Sequence, residues 1–242
     1  MKNPIIVALD VPGEDAALDL AGQLSGKVGA FKIGLELFTR CGPNIVRKIR
    51  ETGGDVFLDL KFHDIPNTVA HAVRSAVDLD VQMLTIHTCG GLDMMKAAEE
   101  AALERAAELG RPAPLVLGVT VLTSMDTNDL NRVGVEHDVA RQVERLATLA
   151  VEAGLRGLVC SPLEIEMLRG ILPHETQLVT PGIRPAGADI GDQKRILTPR
   201  EAIDAGANWL VIGRPIRQPK QGSPAEAADA ILASLADDDS AS

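Results

Sequence analysis

Eight short apolar runs recur along the chain, and amphipathic stretches separate them. Each run is rich in Val, Ile and Leu, which is typical of a buried parallel strand. The stretches between them carry apolar residues at spacings of three and four, which is typical of helices packed on one face. The alternation predicts parallel βαβ units. The runs are PIIVALD (4–10), AFKIG (30–34), DVFLDLK (55–61), MLTIHT (83–88), PLVLGVTVL (114–122), GLVCSP (157–162), QLVTPGI (177–183) and WLVIGRPI (209–216).

An open doubly wound sheet and a closed barrel both fit this alternation. The regular spacing, a length of 242 residues and the lack of G-x-G-x-x-G after the first run favour the barrel. No linker or low-complexity insert divides the chain, so we predict a single-domain α/β fold, a (β/α)8 TIM barrel, over residues 1–236. Residues 237–242 are small and acidic and are expected to be disordered.

The composition excludes several classes of binding partner. A net charge of −10 and an aromatic content of 2% disfavour nucleic acid, which needs basic stripes and stacking platforms. The apolar run of the opening MKNPIIVALDVP is too short for a signal peptide or a membrane span. Three cysteines without a C-x-x-C pattern suit reduced thiols, and no cluster resembles a zinc or calcium site. We therefore expect a cytoplasmic protein without a metal.

The stretch FLDLKFHDIPNT (57–68) places charges where a buried strand should be apolar. Asp59 and Lys61 are two apart on a strand, so both side chains should leave on one face, and Lys32 interrupts the second run. Buried charges need partners, which these three groups supply to one another. Either they form a satisfied internal ion pair, or they belong to a site. Asp64 follows the strand, where capping of the next helix is the simplest interpretation.

Several other runs end in polar residues, and a barrel has its active site at the carboxyl ends of its strands. Asp10, Thr123 and His87 lie at such ends. TPGIRP (180–185) and VIGRPI (211–216) end the last two runs, and each pairs a glycine with an arginine. Glycine lets backbone N–H groups approach an anion, so these motifs predict a phosphate site, with turn chemistry and a surface salt bridge as the alternative.

With the motif VTVLTSMD (119–126), these segments closely resemble the orotidine 5′-phosphate decarboxylase family, in the expected order over most of the chain. The resemblance implies a homodimeric barrel that converts orotidine 5′-monophosphate to UMP, the last step of de novo pyrimidine nucleotide synthesis, without metal or organic cofactor. It implies that Lys61 protonates C6 of the pyrimidine. The implied charge array is Lys32, Asp59, Lys61 and Asp64, with Asp64 contributed by the partner subunit. The implied substrate-binding residues are Asp10, Lys32, Asp59, Thr68, Thr123, Arg184, Gln193, Gly213 and Arg214.

Two rival functions remain open. A magnesium-dependent sugar-phosphate decarboxylase or aldolase of the same superfamily also shows D-x-K-x-x-D at the third strand, but a lysine at position 32 would repel its metal. A non-catalytic nucleotide-binding barrel is the other rival. Such a protein would be expected to have lost at least one charge of the array, whereas all four are present.

Overall fold

Eight parallel strands close into a barrel in sequential order, in a computed structural model that describes residues 3–185 and 196–236. Each strand pairs with the next, and β8 returns to β1, where Ile6 lies opposite Val211. The predicted (β/α)8 barrel is confirmed, whereas the expected disordered tail lies outside the described residues. The strands are β1 Ile5–Ala8, β2 Ala30–Gly34, β3 Val56–Phe62, β4 Met83–His87, β5 Leu115–Val119, β6 Gly157–Val159, β7 Gln177–Thr180 and β8 Trp209–Ile212.

Helices separate the strands and form the outer layer. Polar residues in capping boxes begin three of them, at Asp126, Thr198 and Ser223, where a side chain accepts orphan N–H groups of the first turn. No helix in the described ranges is both long and apolar enough to cross a membrane. The helices are α1 Glu14–Gln23, α2 Leu35–Cys41, α3 Asn44–Glu51, α4 Pro66–Asp78, α5 Leu92–Glu108, α6 Thr127–Arg132, α7 Val139–Glu152, α8 Ile165–Ile171, α9 Pro199–Asp204, α10 Arg214–Arg217 and α11 Pro224–Ser234.

Strand alternation divides the apolar side chains into two cores. Neighbours such as Ile5 and Val7 pack between the sheet and the helices, in the larger core. Ile6, Phe57 and Trp209 belong to a smaller cluster that fills the barrel interior. Each large side chain buried in this way stabilises the fold by about 1.5–3 kcal/mol. Because apolar groups fill the lower interior, polar groups have room only near the carboxyl ends of the strands, here called the mouth.

Most strands end earlier than the apolar runs that predicted them. The run 114–122, for example, yields a strand over Leu115–Val119, and the run 209–216 yields Trp209–Ile212. The remaining residues of these runs leave the sheet at the mouth. Thr123 lies in the loop after β5, and Arg214 begins α10 just after β8.

Candidate active site

A cavity of about 260 Å³ opens at the mouth of the barrel. Its polar wall comes from β2, β3 and the loop after β5, and its apolar wall comes from β3, β5, β6, β8 and the loops that follow β5 and β7. A largely apolar lining with a few polar groups is typical of a site that buries and orients a small ligand. The residues that line it are Lys32, Phe57, Asp59, Lys61, Val119, Val121, Leu122, Thr123, Ser124, Val159, Cys160, Pro181 and Val211.

The carboxylate of Asp59 bridges two ammonium groups on this polar wall. Its Oδ1 lies 2.7 Å from Lys61 Nζ, and its Oδ2 lies 3.6 Å from Lys32 Nζ. Lys32 Nζ also lies 3.4 Å from Asp10 Oδ1. The charged residues predicted from separate strands therefore meet in one chain of alternating charges, Asp10, Lys32, Asp59 and Lys61.

The electrostatics of Asp59 follow from that bridge. Burial by itself raises the pKa of the Asp59 carboxyl, but Lys32, Lys61 and hydrogen bonds from Lys61 and Thr85 outweigh it. The net pKa lies below the ordinary value of 3.8, so the carboxylate is ionised at neutral pH. The ionised Asp59 attracts both ammonium groups and holds them in place beside the cavity.

The backbone at Lys61 departs from the regular strand that the sequence argument assumed. Leu58 pairs with Leu84 and Phe62 pairs with Ile86, so four steps along β3 oppose two along β4. Lys61 lies in this bulge with a φ of 51°, in the left-handed region, which costs a non-glycine residue about 1–3 kcal/mol. The predicted meeting of Lys61 with Asp59 is confirmed, but a strained bulge produces it rather than simple alternation.

Two arginines at the ends of β7 and β8 form a second polar region at the mouth. Arg184 is only 8% exposed and donates a hydrogen bond from Nη1 to the Ile183 carbonyl at 2.9 Å. Burial lowers the pKa of Arg184, and the positive charge of Arg214 lowers it further. Gly213 precedes Arg214 and lies beside the Asp10 carboxylate. Two positively charged side chains that follow neighbouring strands can both bind one anion.

The other predicted site residues occupy different positions. Thr123 lines the cavity, and Asp10 lies at its edge with half of its side chain exposed. Asp64 and Thr68 are exposed on the rim, and the Asp64 carboxylate accepts a hydrogen bond from the Ile65 N–H. Within the described residues, the ion pairs of Lys32 and Lys61 are with Asp10 and Asp59. Gln193 lies outside the described residues.

Sequence reasoning missed the buried Thr85 and the apolar wall of the cavity. Thr85 lies between Leu84 and Ile86 in β4. A hydroxyl between two apolar residues of a buried strand could have indicated that it has a polar partner. The apolar wall carries no such signal, because Val and Pro residues at strand ends are equally common in cores. Among the described side chains, no group of three or more His, Cys, Asp or Glu residues is arranged to hold a metal ion.

Comparison with known proteins identifies the family. The model of the orotidine 5′-phosphate decarboxylase / HUMPS family matches residues 3–231. The orotidine 5′-phosphate decarboxylase of Moorella thermoacetica is 54% identical over 235 residues, covering 97% of this chain and 92% of that protein. That of Pseudomonas syringae pv. tomato is 53% identical, covering 97% and 98%. The crystal structure of the Lactobacillus acidophilus orotidine 5′-phosphate decarboxylase superposes with a TM-score of 0.85 at 34% identity, covering 96% of this chain and 99% of that one. The chain belongs to the orotidine 5′-phosphate decarboxylase / HUMPS family.

Proposed function

We propose that the chain decarboxylates orotidine 5′-monophosphate to UMP, the last step of de novo pyrimidine nucleotide synthesis, and that Lys61 protonates C6. The observation that carries the proposal is the Asp59 carboxylate bridging Lys32 and Lys61 at the polar wall of the cavity. Loss of CO2 from C6 leaves an electron pair in the plane of the pyrimidine ring. No neighbouring carbonyl can accept that pair by resonance, so the protein must stabilise it electrostatically.

Lys61 supplies that stabilisation in two ways. A fixed ammonium about 4 Å from the developing carbanion contributes about 4 kcal/mol at an effective dielectric near 20. The same ammonium then transfers a proton to C6, which completes UMP. Asp59 orients the Lys61 ammonium before the substrate binds, so little reorganisation is needed during the reaction. Thr123 and the apolar residues opposite Lys61 hold the ring and exclude water.

The arginine pair suits the phosphate end of the nucleotide. Arg184 and Arg214 approach from two neighbouring strands, and Gly213 leaves the backbone open beside them. By resemblance, Gln193, which lies outside the described residues, is expected to join them. The phosphate takes no part in bond breaking. Its binding energy instead orients the ring against Lys61, which is how remote contacts raise kcat/KM.

A homodimer completes the proposed charge array. Asp64, Ile65 and Thr68 belong to an exposed stretch, 63–68, directly after β3, and Ile65 is 66% exposed. An exposed isoleucine beside a charged residue of the motif fits a surface that a second copy covers. In that arrangement, Asp64 of the partner subunit would join Lys32, Asp59 and Lys61. Thr68, in the same stretch, would contact the ribose.

The magnesium-dependent sugar-phosphate enzymes remain the second candidate, because the matched family includes both activities in its description. The position of Lys32 argues against them. Its ammonium lies 3.6 Å from Asp59 Oδ2, where a divalent cation would otherwise bind the carboxylate. The relatives that are more than half identical are also named orotidine 5′-phosphate decarboxylases. Both observations favour nucleotide decarboxylation without metal or organic cofactor.

The test is direct. The purified protein is mixed with orotidine 5′-monophosphate, and the fall in pyrimidine absorbance is followed with and without EDTA. We expect turnover to UMP at the same rate in both. Turnover that EDTA abolishes would support a metal-dependent reaction, and binding of the nucleotide without any turnover would support a non-catalytic barrel. Size measurement by light scattering, with and without UMP, tests the homodimer.

A further inference from the structure

The bulge in β3 leaves the backbone at Lys61 without its usual sheet partner. Between the pairs Leu58–Leu84 and Phe62–Ile86 the register shifts, so the ladder with β4 is interrupted where the charged residues lie. A backbone N–H that leaves the ladder needs another acceptor, and here the acceptor is a side chain. The Lys61 N–H donates to Oγ1 of Thr85 at 2.9 Å.

Thr85 contacts the other charged residue of the pair as well. Its Oγ1 lies 3.1 Å from Asp59 Oδ1, and its side chain is fully buried. An ionised carboxylate can only accept, so the single hydroxyl proton goes to Asp59, while a lone pair of the same oxygen receives the Lys61 N–H. Both roles of the hydroxyl are therefore fixed by their partners.

We propose that Thr85 is a positioning residue, which sets the Asp59 carboxylate and the backbone of Lys61 in the arrangement the reaction needs. The inference rests on the proposed function. Thr85 is not among the described residues that line the cavity, so it acts through its two neighbours. One oxygen ties the start of the Lys61 side chain to the carboxylate that its ammonium contacts at 2.7 Å. The side chain of Lys61 is thereby held at both of its ends.

The same geometry predicts a separate electrostatic effect. A hydrogen bond to the ionised form of a carboxyl lowers its pKa, and Thr85 and Lys61 both donate to Asp59. Removal of the hydroxyl should raise the pKa of Asp59. The acidic limb of the kcat/KM profile should then move to higher pH. Loss of a buried hydroxyl that served only packing would not move that limb.

Two substitutions separate positioning from packing. Thr85→Val keeps the shape and removes the hydroxyl, whereas Thr85→Ser keeps the hydroxyl and removes the methyl group. The matched control is Thr88→Val, because Thr88 is also fully buried but its hydroxyl donates to the Val119 carbonyl at 2.9 Å. Thr85→Ala replaces the valine variant if that variant does not fold.

We expect Thr85→Val to lower kcat by at least about tenfold while KM changes by less than about threefold, because the phosphate contacts are untouched. Its acidic limb should move to higher pH. Thr85→Ser and Thr88→Val should keep kcat within about threefold of the wild type and leave the limb in place.

Three outcomes would overturn the inference while wild-type turnover stands. The first is an unchanged kcat and pH profile in Thr85→Val. The second is an equal loss of kcat in Thr85→Ser, which would show that the hydroxyl is not what matters. The third is an equal loss in Thr88→Val, which would show a general cost of removing a buried hydroxyl. A wild-type protein that leaves orotidine 5′-monophosphate intact would instead contradict the proposed function, and the catalytic role of Thr85 with it.

Discussion

Charged side chains gather at both ends of the barrel, but they are used differently. At the amino-terminal ends of the strands, here called the base, arginines bind backbone carbonyls near the strand starts. Arg50 donates to the Gly54 carbonyl at 2.8 Å, and Arg156 donates to that of Pro114. Arg169 donates to the carbonyls of Gly206 and Thr176, both at 2.8 Å. At the mouth, the ion pairs of the lysines are with side-chain carboxylates, and the lysines border an open cavity.

The contrast separates stability from chemistry within one fold. A guanidinium has five donors in a fixed fork, which suits it to holding several carbonyls at a strand start. An ammonium is a compact charge whose three donors need not all be used, so it can still act on a ligand. We expect substitutions at the base to change the free energy of unfolding, and substitutions at the mouth to change turnover.

Lys61→Ala should give the largest effect. It removes both the cation beside the developing carbanion and the proton donor, so kcat should fall by about 10⁴-fold or more. The melting temperature should fall only slightly, because the substitution removes one of the two ammonium partners of Asp59 and leaves Lys32 in place. The measurements are absorbance-based turnover and thermal unfolding, with Lys96→Ala on the exposed face of α5 as the matched control. Substantial residual turnover would contradict the role of Lys61 as proton donor.

Arg214→Ala should give the next largest effect. Hydrogen bonds to a charged phosphate contribute about 1.5–3 kcal/mol each, so the loss of one or two lowers kcat/KM by roughly 10- to 10⁴-fold. Uridine without a phosphate should bind the variant as weakly as it binds the wild type. Steady-state kinetics with orotidine 5′-monophosphate measure the change, and Arg132→Ala, whose side chain is 82% exposed, is the control. An unchanged kcat/KM would remove Arg214 from the phosphate site.

Arg169→Met at the base should have the opposite character. It removes the donors to the Gly206 and Thr176 carbonyls and one of the two donors to the Asn208 side chain, all in part-buried surroundings. The free energy of unfolding should fall by about 2–4 kcal/mol. At temperatures where the variant is folded, kcat and KM should match the wild type. Denaturant unfolding tests the first expectation and turnover the second, with Arg132→Met as control. A large loss of kcat in a fully folded variant would break the division between base and mouth.

The meeting of charged residues at the mouth could be predicted from sequence, whereas the bulge and the contacts of Thr85 could not. Charges that interrupt apolar runs, such as Lys32, Asp59 and Lys61, stand out because burial is costly without a partner. A barrel brings strand ends together, so their meeting could be predicted once the fold was. The bulge could not, because no glycine marks it and Lys61 itself adopts the left-handed conformation. Thr85 was missed for the same reason, since its role exists only when the ladder is interrupted.

The role of the arginines at the base could not be predicted from sequence. Arg50, Arg156 and Arg169 occur in or beside helical segments, where a charged residue normally faces solvent. Their carbonyl partners lie in loops up to 42 positions away in the chain, as for Arg156 and Pro114. Such contacts depend on the closure of the barrel and leave no local pattern. Spacing alone cannot separate an arginine that holds a strand start from one on a solvated face.

Two buried carboxylates, one at each end, show pKa shifts in opposite directions. Asp59 at the mouth has a lowered pKa because two lysines outweigh its burial. Glu99, on α5 near the base, has a raised pKa because burial outweighs the attraction of Arg156, whose Nε lies 2.6 Å from Oε1. Within the part of the chain that the structure describes, Glu99 Oε2 is buried without a hydrogen-bond partner. One half-exposed arginine therefore offsets the effect of burial on a carboxyl pKa less than the two lysines beside the cavity do.

Glu99→Gln should give the smallest effect, and only its pH dependence is diagnostic. A raised folded pKa means that the native state binds the proton more tightly than the unfolded chain, whose value is near 4.5. The contribution of Glu99 to stability is therefore complete below that value and is lost as pH rises through the folded pKa. Glutamine does not titrate, so the variant loses no stability in this way.

The free energy of unfolding of the wild type, minus that of Glu99→Gln, should fall as pH rises from about 4 to 8, as measured by denaturant unfolding. Asp59 does not change the dependence of the unfolding free energy on pH above 3.8, the pKa of its unfolded form. Its folded pKa is lower, so the stability that it contributes is lost only at more acidic pH. If this difference in unfolding free energy rises with pH instead, the attraction of Arg156 outweighs the burial of Glu99. The pKa of Glu99 would then be lowered, as that of Asp59 is at the mouth.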